Sequence, residues 1–102
     1  MGQDRNTALR TTVERVLSEL GPSIQKTIMW HMNNRGVFSN PNHLDFEVMY
    51  KNLEELLGPL SEEITDMTWD HLQKDYGAKD DSKSKKSLQS IKNWYSRGAQ
   101  TD

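Results

Sequence analysis

Apolar residues recur along most of this chain at helical rather than strand spacing. Leu9, Val13, Val16, Leu17 and Leu20 fall at i, i+4, i+7, i+8 and i+11, which is one face of an amphipathic helix over about residues 7–20. Gly21 follows as a helix stop, and Pro22 suits the first position of a second helix over residues 22–35. There Ile24, Ile28, His31 and Arg35 share a stripe with Met32 beside it, and Gly36 ends the element. The segment TIMWHMNNRG thus reads as the last turns of a helix: β-branched residues are few and Asn-Asn-Arg-Gly is a helix exit.

VFSNPNHLD, residues 37–45, is an irregular link in which Val37 and Phe38 are expected to fold back onto the core. Phe46, Met49, Tyr50, Leu53, Leu56 and Leu57 stripe a third helix over 45–57, closed by Gly58-Pro59. Ser61 is the expected N-cap of a fourth helix over 62–76, with Glu62 and Glu63 in its first turn and Leu60 packing across the cap. Ile64, Met67, Leu72 and Tyr76 carry that helix to Gly77.

After Gly77, AKDDSKSKKS has no apolar residue larger than alanine and reads as a flexible link. LQSIKNWY then places Leu88, Ile91 and Tyr95 on one face with Trp94 alongside. A short fifth helix over 86–96 forms there only if it docks, since an isolated helix of that length is marginal in water. The expected architecture is an all-α, compact four-helix domain within residues 1–77, followed by a flexible basic C-terminal extension, 78–102. Its expected core is Leu9, Val13, Val16, Leu17, Leu20, Ile24, Ile28, Met32, Phe46, Met49, Leu53, Leu56, Leu57, Ile64 and Leu72.

Charge sharpens that division. Residues 1–76 hold seven Lys/Arg and twelve Asp/Glu, whereas residues 77–102 hold six basic and three acidic residues. The overall charge of −2 therefore hides an acidic body with a basic tail. There is no cysteine, which excludes disulfides and thiolate metal sites and fits a reducing cytoplasm. No apolar run approaches the roughly 18 residues of a membrane span, and no signal-peptide core is present. The chain reads as soluble and cytoplasmic.

Candidate chemistry is sparse. His31, His43 and His71 are the only histidines, and they lack the spacing of converging metal ligands. His31 and His71 are expected to edge the core with one nitrogen satisfied each. The pairs Glu54-Glu55 and Glu62-Glu63 point in different directions from their helices, and no nucleophile elbow, P-loop or dinucleotide fingerprint occurs. No catalytic residue, metal or cofactor is assigned, and the chain is read as not an enzyme.

The aromatic residues are more informative. Trp30 lies about 200° around the helix from Ile28. Its helical neighbours are Lys26, Thr27, Asn33 and Asn34, which places it on the polar side. Trp69 sits at the margin of the fourth helix. Trp30, Trp69, Trp94 and Tyr95 are therefore the candidate partner-binding residues, for a protein partner or a homodimer, unless each meets another element of the bundle. Lys83, Lys85, Lys86, Lys92 and Arg97 form an alternative surface for nucleic acid or another anion, though an acidic body would repel a duplex.

The segments LGPSIQKTIMWHMNNRGV, DFEVMYKNLEELLG and PLSEEITDMTWDHL together resemble the small archaeal family of Nitrosopumilus output domains, over about residues 17–76. The resemblance rests on apolar and glycine positions. It implies a helical domain serving as the output of signalling proteins, of archaeal origin, with no catalytic residues to carry over. The function expected is a non-enzymatic interaction module.

Overall fold

The computed structural model describes residues 5–40, 43–80 and 86–100, with the side chains of 97–100 left out of the description. The described chain is all-α: α1 (Arg5–Glu19), α2 (Pro22–Asn34), α3 (Phe46–Leu57), α4 (Leu60–Tyr76) and α5 (Ser87–Gln100), with no strand among the described residues. The body measures 36 × 28 × 21 Å.

Helix α4 is the centre of the bundle, packing against α1, α3 and α5, while α5 also touches α1 and α3. Its buried residues, Ser61, Ile64, Thr65, Thr68 and Leu72, share one stripe in which polar and apolar side chains are mixed. A threonine hydroxyl survives burial here because it bonds the carbonyl one turn back. Thr65 donates to Ser61 O at 2.7 Å and Thr68 to Ile64 O at 2.8 Å. Thr12 of α1 does the same toward Ala8 O at 2.7 Å.

Helix α2 is the outlier, touching only α1 and α3. Its fully buried side chains are Ile28 and Met32 alone. At its end Gly36 adopts φ +74°, the left-handed conformation that closes a Schellman turn. Val37 N–H reaches back to Met32 O at 3.0 Å and Gly36 N–H to Asn33 O at 3.1 Å. This turn folds Val37 into the core and lays Phe38 against it, as the sequence suggested.

Several expectations need correction. Ile24 is not core but 43% exposed, because the first turn of α2 stands off the bundle and its buried positions begin at Ile28. Leu20, Leu56 and Leu57 are half-buried around the core rather than inside it. Ser61 is not an N-cap: α4 starts at Leu60 after Pro59, and the Ser61 hydroxyl donates to Gly58 O at 2.7 Å from within the helix. Leu44, assigned to the irregular link, is fully buried.

The largest correction concerns residues 78–102. Ala78, Ser90, Ile91 and Trp94 are buried, Ile91 completely, so α5 belongs to the same core as α1, α3 and α4. Residues 81–85 of the expected link lie outside the described residues. The docking of α5 has polar reinforcement. Asn6 Oδ1 accepts from Leu44 N–H at 2.8 Å and from the Tyr95 hydroxyl at 3.0 Å. The Tyr95 oxygen also lies 2.9 Å from Leu44 N, as an acceptor, and its ring stacks on His43. One cluster thus ties α1, the α2–α3 link and α5 together.

Candidate interaction surface

The four aromatic candidates are not brought together. Trp94 is buried, with the Arg5 guanidinium over its ring at 4.9 Å and donating to its carbonyl. Tyr95 is half-buried and engaged by Asn6, Leu44 and His43. Trp69 is half-buried against the core. These three pack within the bundle or against its core. Trp30 differs: it is 69% exposed, on the outward side of α2.

Trp30 stands out against the other exposed apolar side chains, Ile24 and Val48, at 43% and 42%. Its helical neighbours Lys26, Thr27, Asn33 and Asn34 are all exposed, so nothing from α2 itself shields the ring. The polar face was legible in the helical spacing. That no other helix covers it follows from α2 touching only α1 and α3.

Two of the basic candidates, Lys86 and Lys92, have described side chains. Lys92 lies 2.9 Å from Glu47 of α3 and is therefore engaged within the fold. Lys86 is exposed at the start of α5. Lys83, Lys85 and the Arg97 side chain lie outside the described residues. The Lys92 hydrogen bond and charge, helped by Lys51, hold the Glu47 carboxyl below its ordinary value of 4.5. A carboxylate with a depressed folded-state pKa stabilises the fold above the unfolded pKa, and that contribution fades as pH falls through the folded value. The anchoring of α5 through Glu47 should therefore weaken in acid. An NMR titration should find Glu47 titrating low in the wild type and returning toward 4.5 in Lys92→Ala; identical curves would show that the pair does not form in solution.

The histidines sit in three different settings. His71, with a side chain 19% exposed, lies 3.4 Å from Glu19 and 3.9 Å from Asp75. Asp75 in turn pairs with Arg15 at 2.9 Å, so the cluster fastens α4 to α1. His43 lies 3.2 Å from the Tyr95 hydroxyl. His31 Nε2 is buried with no hydrogen-bond partner among the described residues. Among the described residues no three His, Asp or Glu side chains converge to hold a metal ion.

One concavity was not foreseen. At the α3–α4 junction an open groove of about 700 Å³ is lined by Lys51, Glu54, Glu55, Gly58, Pro59, Ser61 and Glu62. Glu55 is paired with Arg35, the residue closing α2, at 3.0 Å. Sequence spacing could not reveal the groove, because adjacent glutamates on separate helices read as solvated faces until the Gly58-Pro59 turn brings them opposite one another.

No helix among the described residues is long and apolar enough to cross a membrane. Comparison with protein-family models, with curated proteins and with solved structures finds no match to this chain.

Proposed function

We propose that this chain is a non-enzymatic interaction module that acts through the outer face of α2, with Trp30 as its anchor. The observation that carries this reading is the 69% exposure of Trp30 on a helix that buries only Ile28 and Met32. An exposed tryptophan contributes little to its own fold. Covering about 150 Å² of its surface would yield roughly 4 kcal/mol, at about 25 cal/mol per Å², before the costs of association are met. That is the size of an interface hot spot.

The resemblance of residues 17–76 to archaeal output domains supports a role in signalling or regulation, in which the module reports a state to a partner through contact. A cysteine-free chain suits a reducing cytoplasm. The alternative, a regulatory protein that binds nucleic acid through Lys83, Lys85, Lys86, Lys92 and Arg97, takes second place because Lys92 is engaged by Glu47.

Denaturant melts of Trp30→Ala test the reading. A residue that serves a partner leaves the isolated fold within about 0.5 kcal/mol of wild type. A loss above about 2 kcal/mol would make Trp30 part of the core and remove the proposed surface.

A further inference from the structure

Among the described residues, two buried side-chain polar atoms lack a hydrogen-bond partner: His31 Nε2 and Asn52 Oδ1. Other buried polar side chains are met. Thr12, Thr65 and Thr68 each bond a carbonyl of their own helix, and Asn6 Oδ1 accepts from Leu44 and Tyr95. Asn52 is 7% exposed, and its amide nitrogen donates to Val48 O at 2.9 Å while the oxygen is left unmet. No partner reaches His31 Nε2 as donor or as acceptor, so a change of tautomer does not rescue it.

Both atoms belong to one seam. Helix α2 packs on α1 and α3 alone, and His31 lies on the Arg35 flank of its buried stripe, about 40° from Arg35. Arg35 reaches Glu55 of α3 at 3.0 Å, so this flank faces α3. On α3, Asn52 falls between buried Met49 and Glu55, about 60° from each. The opposite flank of α3, Tyr50 and Glu54, lines a cavity with Glu62 and Asp66 of α4 and Leu88 of α5. Asn52 therefore turns toward α2.

We infer that the α2–α3 seam is a weak joint, at which α2 opens as a unit while α1, α3, α4 and α5 stay packed. A buried donor or acceptor without a partner forfeits its hydration, and opening returns water to both atoms. Little opposes the movement. The fully buried side chains of α2 are Ile28 and Met32, and the Arg35–Glu55 pair across the seam is exposed at 51% and 59%, where an ion pair holds weakly. Segments with few buried apolar contacts are those that open first. Gly21 and Gly36, at φ +107° and +74°, bound the helix and leave backbone freedom at both ends. The joint follows from packing and stands apart from the role of Trp30. Where α2 is the interaction face, opening adds Ile28 and Met32 to it, and a partner that grips both sides of the helix selects the open form.

Native-state amide hydrogen exchange of the full chain tests this, in the wild type and in Asn52→Leu. The substitution replaces the unmet oxygen with an apolar group of similar volume, and Val48 O keeps the helical N–H of residue 52. In the wild type, amides from Ile28 to Asn34 should exchange at least about tenfold faster than the slowest amides of α4, and with a weaker dependence on denaturant, the mark of opening short of global unfolding. In Asn52→Leu the same amides should slow about tenfold. His31→Leu removes the other unmet atom and should slow them likewise, which keeps the test open if leucine does not fit at position 52. Amides of α2 that exchange in one cooperative step with α4 overturn the joint. So does exchange in these variants that is unchanged or faster, as it would be if a bound water met both atoms. The melting curve of Trp30→Ala is read separately, so the joint and the interaction face stand or fall independently.

Discussion

A chain ending at Gly77 should fail to unfold as a single cooperative unit. The truncation removes Ile91, which is fully buried, and Trp94, 6% exposed, together with the partly buried Leu88 and Tyr95. Deleting a buried isoleucine side chain costs about 2–5 kcal/mol, and a buried tryptophan about 3–5 kcal/mol. Their sum rivals the whole stability of a typical domain, about 5–15 kcal/mol. Polar losses add to this: the Tyr95 hydroxyl no longer meets Asn6 and Leu44, and Glu47 loses Lys92. Leu44 N–H keeps Asn6, so the α2–α3 link is loosened rather than freed. Urea unfolding followed by circular dichroism should show a broad, shallow transition for residues 1–77 beside a sharp one for the full chain. Equal midpoints and slopes would mean that α5 is an appendage.

Leu53→Ala should cost about 2–5 kcal/mol. Leu53 is fully buried on α3, in a helix that packs against α2, α4 and α5. Shortening it leaves a cavity in a core that surrounding helices can close only by giving up contacts elsewhere. For a domain of about 100 residues, each kcal/mol lowers Tm by roughly 4–8 °C. A midpoint shift equivalent to less than about 1 kcal/mol would place Leu53 at the edge of the core.

The contrast between α1 to α4 and α5 explains what could be read from residues alone. Leu9, Val13, Val16 and Leu17, and likewise Phe46, Met49 and Leu53, announce their helices because large apolar side chains repeat at helical spacing. Helix α5 was foreseen as a segment, but its docking was not. It packs on α4, where Thr65 and Thr68 are buried, and its Tyr95 bonds Asn6; all three residues are polar by composition and buried in fact. The threonines satisfy their hydroxyls on their own helix, and Asn6 satisfies its oxygen on Leu44 and Tyr95, so hydropathy counts each of them on the wrong side. Ile24 errs the other way: its spacing is right, but tertiary packing begins only a turn later.

The candidate surface divides on the same ground. Trp30 could be singled out because its helical neighbours are all polar. Trp94 and Tyr95 could not be separated from it, since their environment is made by Arg5, Asn6 and His43 from distant parts of the chain. The groove beside Gly58-Pro59 was invisible, because Glu54 and Glu55 share one groove with Glu62 only once the turn between α3 and α4 is closed.

The most direct test of an α2-centred function is a concentration series of amide spectra from the isotopically labelled full chain. Shifts that grow with concentration should gather on α2 around Lys26 to Asn34, while α5 stays unmoved. Shifts that gather chiefly along α5 would contradict the assignment of function to the outer face of α2.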